Sequence, residues 1–207
     1  MLRPYDIVKR LMDLVVSMVG LLLIGWLIAA IYLLTRLSSR GPGLFVQQRV
    51  GLGGRPFPLV KFRTMRGDHV HNPDPTIVID VEHEAVTPVG RALRRWRLDE
   101  LPQLLNVLAG HMSLVGPRPT VPEQVEKYDA FRRRRLEVLP GITGLAQVSG
   151  GTGLTWDERI EWDVYYVDHR SPWLDVRILG RTVVGCFRGP ERVVRKFADE
   201  RAAGRLP

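Results

Sequence analysis

A single cysteine, Cys186, occurs among 207 residues, which excludes an intramolecular disulfide and a thiolate metal centre and fits a reducing compartment. Internal repeats are absent. The basic run Arg132 to Arg135 has no RNP, zinc-finger or helix-turn-helix signature beside it, so nucleic acid is not an expected partner and the run reads as a lipid-facing or solvated helix. Charge is missing altogether from Leu14 to Thr35, a stretch long enough to cross roughly 30 Å of hydrocarbon as a helix. It exceeds the core of a signal peptide and no small-residue cleavage site follows it, which predicts a retained anchor. No second apolar span follows Arg40.

What is abundant is positive charge. Thirty Lys and Arg against twenty-two Asp and Glu leave a net +8, so the expected partners are anionic: lipid headgroups and phosphorylated substrates. The length suits one compact domain plus the anchor. Lys9 and Arg10 precede the apolar segment and Arg36 and Arg40 follow it, so the positive-inside rule gives no orientation. One geometry is a simple crossing. The other is a helix that dips in and returns, which places both basic flanks in the anionic leaflet and requires a break near Gly20 or Gly25, beside Trp26. Glycine weakens a helix without ending it, so the residues alone favour the crossing.

After the anchor, Leu44–Gln48 and Phe57–Phe62 flank Gly51, Gly53 and Gly54 as a hairpin would. Residues 67–87 read as a surface loop in which His69 and His71 form an incomplete ligand set. Leu93, Leu98, Leu101, Leu104, Leu105 and Leu108 make a helical stripe ending at Gly110, with a break around Asp99. Further helices are expected at about 122–138, 155–169 and 173–188, and the charged tail from Glu191 to Arg205 as a surface helix or frayed end. The fold class is therefore α+β, mainly helical.

Arg91, Arg94 and Arg95 lie at helical spacings just before Asp99 and Glu100, an outline of a phosphate site. The competing reading is a solvated basic helix followed by an Asp N-cap with Pro102 in the first turn. A carboxylate attacks phosphorus only once the target's charge is neutralised, which arginines and a magnesium ion would do. Were Asp99 a cap, the backbone N–H groups there would also favour phosphate oxygens. Arg118 sits between Pro117 and Pro119, which stiffen its loop and reduce the entropy lost on binding. Residues 139–150 combine turn formers with apolar side chains, as a tightly shaped loop does.

Lys61-Phe-Arg-Thr-Met65, Leu98-Asp-Glu-Leu-Pro-Gln-Leu104, Met112-Ser-Leu-Val-Gly-Pro-Arg-Pro119 and Pro140-Gly-Ile-Thr-Gly-Leu-Ala-Gln-Val148 together resemble the bacterial sugar transferases, the small monotopic phosphoglycosyl transferases, in order and spacing. The resemblance covers about Lys9 to Leu179. It implies that Asp99 attacks the β-phosphate of a UDP-sugar, releasing UMP, and that polyprenyl (undecaprenyl) phosphate then takes the phosphosugar from the aspartyl intermediate, the first membrane step of a bacterial glycan pathway. It implies Mg2+ held by Glu100 and Asp99, and substrate contacts from Lys61, Arg94, Arg118 and Gln147. It also implies a re-entrant helix-break-helix over 1–40, a cytosolic catalytic domain over 41–207 on the cytoplasmic face of the inner membrane, contact with anionic lipid, and an assembly that admits a homodimer. The usual Ser-Pro bend is Gly25-Trp26 here, and Leu139, His111 and Gly151 stand where the family has a basic residue, an aspartate and an arginine. Arg159 or one of Arg132 to Arg135 is a spatial substitute for the last. The alternative is a non-catalytic basic protein of the membrane surface on the same scaffold; intact Asp99-Glu100 opposes it.

Overall fold

The computed structural model describes residues 4–66, 83–188 and 194–207. His69 and His71, with most of the loop expected over 67–87, lie outside the described residues. The chain is mainly helical with two small sheets. Helix α1 (Pro4–Ser38) leads into strands β1 (Leu44–Val50) and β2 (Pro56–Phe62). Next come α2 (Pro88–Arg95), α3 (Gln103–Leu108), β3 (Ser113–Val115), α4 (Pro122–Val125) and α5 (Ala130–Arg133). Strand β4 (Gly141–Thr143) precedes α6 (Leu145–Ser149), α7 (Trp156–His169), α8 (Pro172–Arg188) and α9 (Phe197–Ala202).

The expected break near Gly25-Trp26 does not occur, because α1 is one uninterrupted helix. With proline absent no backbone donor is lost, and glycine costs only about 1 kcal/mol in a helix. The helix is two-faced. Tyr5, Asp6, Lys9, Arg10, Asp13 and Ser17 follow each other at spacings of one, three or four. Tyr5 and Lys9 donate to Asp175 on α8 at 2.6 and 2.7 Å, Arg170 donates to Asp6 at 3.2 Å, and Arg10 donates to the Val107 carbonyl at 2.8 Å. Asp13 accepts from the Leu114 amide at 3.1 Å. At the other end Ile31 packs on Phe62 and Leu93, and the Thr35 hydroxyl donates to the Gly43 carbonyl at 3.2 Å. The opposite face is bare hydrocarbon: Leu22 is 79 % exposed, Trp26 72 % and Leu37 82 %.

Strands β1 and β2 pair antiparallel, with Phe45 opposite Lys61 and Arg49 opposite Phe57. Directly opposed residues share a face, so Lys61 and Arg49 stand on the side where Phe57 and Leu59 enter the core. Strands β3 and β4 pair in parallel, an element not expected from the sequence. Glycine permits it. A Cβ on Gly116 would overlap the Leu139 carbonyl oxygen, and one on Gly141 or Gly144 would overlap backbone atoms of Gly116. Behind these strands Val115, Leu145, Trp162, Tyr166 and Ile178 form the main core, each such side chain contributing roughly 1.5–3 kcal/mol on burial.

The helix expected over 122–138 is split, since the Asp129 carboxylate accepts from the Arg132 amide at 2.7 Å and starts α5 afresh. Residues 139–150 are β4 and α6. From Val194 the tail packs on the core: Phe197 lies edge-on to Trp162 at 5.0 Å, and the Arg195 amide donates to the Ser149 carbonyl at 2.7 Å.

Candidate active site

Arg97 ends the run that begins with α2. It is the one non-glycine residue at positive φ (56°) among those described, a left-handed conformation that costs roughly 1–2 kcal/mol for an L-residue. The kink starts a 3-10 turn, Leu98–Glu100, that carries Asp99 and Glu100. Asp99 thus sits inside a turn and does not cap α3, whose N-terminal flank is Pro102 with no side-chain cap. The expected break in the leucine stripe is there, but its cause is Arg97.

Glu100 has a side chain 12 % exposed and accepts from Arg118 Nη2 at 2.5 Å. Burial alone would raise its pKa, but the charge and hydrogen bond of Arg118, with Arg97 and Lys61, outweigh that and hold it low. Glu100 in turn raises the pKa of Arg118. Among the described residues Asp99 has no such partner. Burial, with Glu100 beside it, lifts its pKa to about 6, against the opposing pull of Lys61, Arg118 and Arg94. The Lys61 ammonium lies 5.1 Å from the Phe45 ring centroid. Burial, then Arg49, depress it to about 8, while Asp99 opposes the fall. Arg94 Nε donates to the Thr64 hydroxyl at 2.9 Å, and burial lowers its pKa.

Lys61, Arg94 and Arg118 therefore share one electrostatic neighbourhood with Asp99 and Glu100. Gln147 does not join it directly. It lies buried on α6, its amide donates to the Ile142 carbonyl at 3.0 Å, and its Oε1 is buried without a partner. Arg91 also turns elsewhere, donating to the Val86 carbonyl at 3.3 Å. Sequence reasoning missed Arg49, whose pKa falls to about 10 through burial and the charge of Arg118. Its signal was the two-residue period of β1 and β2, which puts both Arg49 and Lys61 on the inward face.

Among the candidates to stand in for an arginine at Gly151, Arg132 pairs with Asp129 and Asp157, Arg134 with Asp168, and Arg135 with Asp163. Arg133 donates to the Tyr128 carbonyl at 3.2 Å. Arg159 donates to the Leu154 and Thr152 carbonyls at 3.0 and 3.2 Å. Burial lowers its pKa, and the charge of Arg118 lowers it further.

Two adjacent carboxylates suit a magnesium ion, which takes one or two carboxylates and completes its shell with waters and substrate phosphates. Among the described residues no cluster of three or more His, Cys, Asp or Glu competes for that role. Next to the turn, a cavity of about 410 Å3 opens between Gly25, Ala29 and Leu33 of α1 and Leu44, Phe62, Pro102 and Leu105. Its walls are apolar and Pro102 is two residues from Glu100.

A family model described as bacterial sugar transferase matches residues 4–189. The chain is 41% identical over 184 residues to the galactosyl transferase CpsE of Streptococcus agalactiae serotype III, covering 84% of this chain and 40% of that protein. It is 42% identical over 177 residues to the uncharacterized sugar transferase EpsL of Bacillus subtilis, covering 86% of each. With the UDP-glucose:undecaprenyl-phosphate glucose-1-phosphate transferase of Klebsiella pneumoniae it shares 41% identity over 189 residues, 87% of this chain and 40% of that one. The chain thus spans 40% of the length of two of these relatives and 86% of the third.

Proposed function

The chain belongs to the bacterial sugar transferase family, and from that premise we propose that it moves a sugar 1-phosphate from a UDP-sugar to a polyprenyl phosphate. The observation that carries this is Asp99: a carboxylate with no hydrogen-bonded cation among the described residues, held at about 6 by burial and by Glu100 and within the fields of Lys61, Arg118 and Arg94. Ionised at neutral pH yet only weakly stabilised, it is a competent nucleophile.

A carboxylate oxygen of Asp99 attacks the β-phosphorus. The bond from that phosphorus to the bridging oxygen breaks, and UMP leaves with the electron pair. A phosphate oxygen of the polyprenyl phosphate then attacks the aspartyl phosphosugar, and Asp99 leaves as a carboxylate. Lys61 and Arg94 neutralise the donor's phosphates, and Arg118 holds Glu100 and reaches the nucleotide, with Arg159 extending the positive surface. Glu100 and Asp99 would hold Mg2+, which supplies further neutralisation of phosphate charge when bound.

The apolar cavity beside Pro102 receives the proximal isoprenes of the acceptor, whose tail stays in the bilayer. The catalytic domain, residues 41–207, lies on the cytoplasmic side and α1 is an anchor that does not cross. Both ends of α1 are held by one polar body, Tyr5 and Lys9 through Asp175 and the other end through Ile31 on Phe62 and Leu93 and through Arg63 on the Ser39 and Arg40 carbonyls, which supports placing them on one side of the membrane. Helix α8 offers anionic lipid an exposed Trp173 and Val176 next to Arg177.

The test is UMP release from a panel of UDP-sugars with undecaprenyl phosphate and Mg2+, beside the Asp99→Asn variant and an EDTA control. Release by wild type alone, stopped by EDTA and restored by Mg2+, with a phosphosugar adduct in intact-mass spectra, is the expected result. Equal release by the variant would remove Asp99 from its role.

A further inference from the structure

Arg135 is only 4 % exposed, and a buried guanidinium calls for partners. Its Nη2 donates to Asp163 at 2.5 Å and to the backbone carbonyl of Arg118 at 2.8 Å, while Nη1 donates to the Tyr128 hydroxyl at 2.7 Å. That hydroxyl shares a 3.1 Å hydrogen bond with Thr120. The guanidinium also faces the Trp156 ring at 5.3 Å. Arg135 thus grips the Arg118 loop directly and, through Tyr128, two residues further on.

The rest of that loop is pinned as well. The Pro117 carbonyl accepts from the Gly141 amide at 2.9 Å, and the Thr120 carbonyl from the Val50 amide at 2.9 Å. Arg49 reaches the Pro119 carbonyl at 3.4 Å. Four successive carbonyls are held, the prolines are buried, and only the Arg118 side chain emerges, 53 % exposed and aimed at Glu100.

A buried ion pair contributes little net stability, because desolvation offsets the attraction and apolar replacements of the same volume are often neutral or better. The cost is visible here: burial lifts Asp163 to about 6 even with Arg135 against it. The guanidinium fork, in contrast, makes three bonds in fixed directions that no apolar side chain can make.

We propose that Arg135, held by Asp163, is a positioning residue: it fixes the Arg118 backbone so that the Arg118 side chain is preorganised for the nucleotide donor. This rests on the donor role proposed above for Arg118. Preorganisation acts on binding by reducing the ordering left to be done, so its loss weakens the donor and leaves the acceptor untouched.

Two variants of the full chain in detergent or nanodiscs test this, with UDP as the calorimetric probe. Arg135→Met combined with Asp163→Leu removes both charges and keeps the packing; Arg135→Lys keeps the charge and loses the fork. Both are expected to bind UDP roughly tenfold more weakly, the reach of one lost hydrogen bond. The KM for the UDP-sugar should rise in step while the KM for polyprenyl phosphate stays put. A purely structural role predicts instead a lower melting temperature and fewer active molecules with both KM values and UDP affinity unchanged, which overturns the proposal. So does failure of both variants to fold. Wild type that binds no UDP sinks the donor reading and the positioning role with it, whereas wild-type binding matched by the variants sinks the positioning role alone.

Discussion

Replacing Asp99 by asparagine keeps the side chain's shape and removes one negative charge from a turn where Glu100 is the next residue. In the fold Asp99 titrates near 6 in place of 3.8, so the folded state binds this proton more tightly than the unfolded chain does. The stability that protonation contributes is complete below about pH 3.8 and is lost as pH rises through 6. Above that the ionised carboxylate destabilises the protein. A shift of this size corresponds to about 3 kcal/mol, and partial exposure of the carboxyl reduces it to about 1–3 kcal/mol. The neutral amide of the Asp99→Asn variant carries no such penalty, so the variant gains that amount at pH 7.5. For a chain of this length roughly 2–4 °C of melting temperature accompanies each kcal/mol. Activity moves the opposite way, by on the order of a thousandfold or more, because the nucleophile is gone.

The assay is a pair of thermal-unfolding scans on both proteins in one detergent, at pH 7.5 and pH 4, beside UMP release at pH 7.5. The variant should melt higher at pH 7.5 and should lose most of that advantage at pH 4. A variant no more stable than wild type at pH 7.5, or one whose advantage is the same at both pH values, would refute the electrostatic account. It would also remove the ground for treating Asp99 as a carboxylate held ready by its surroundings.

The pH profile of kcat/KM should fall on the alkaline side as Lys61 loses its charge near 8; a rate that holds level from pH 7 to 9.5 contradicts this. Gly141→Ala should lower stability by about 1–3 kcal/mol and disturb the Arg118 loop, since its methyl would press on the Gly116 amide; an unchanged melting temperature contradicts it. A tag at the N-terminus should resist protease added outside intact cells, and cleavage there would show that α1 crosses.

Much of this site could be read from residue order alone, and what could not has identifiable physical causes. The turn at Asp99 and Glu100, the stiff Arg118 loop and the hairpin each rest on local chemistry: a break in a leucine stripe, two flanking prolines, three clustered glycines. The competing reading of Asp99 as a helix cap fails, because it takes Pro102 to open a helix when the left-handed Arg97 has already bent the chain. The bend in α1 failed for a related reason. It was inferred from resemblance where no residue here supplies the mechanism, and the structure keeps the helix whole. Pairing of β3 with β4 depends on Gly116, Gly141 and Gly144 meeting across about twenty-five positions of sequence, a contact that no local pattern encodes. Arg135 and Asp163 were similarly invisible as a pair, since one looked like part of a solvated basic run and the other like one more acid on α7.

Burial, and then the charge of Arg49, hold the pKa of Lys61 near 8, with Arg118 and Arg94 adding to the fall and Asp99 opposing it. A bound diphosphate would favour the protonated form of Lys61. Near pH 8 the free protein has this amine about half protonated, so binding of UDP without metal should take up a fraction of a proton approaching about one half. The uptake should shrink towards pH 7, where Lys61 is already charged and Asp99 is still ionised. Calorimetry in buffers of different ionisation enthalpy reads the number directly, because the observed heat varies linearly with the buffer's own. Net proton release at pH 8, or no buffer dependence at all, would mean that the phosphates bind away from Lys61 and that the amine's low pKa has another use.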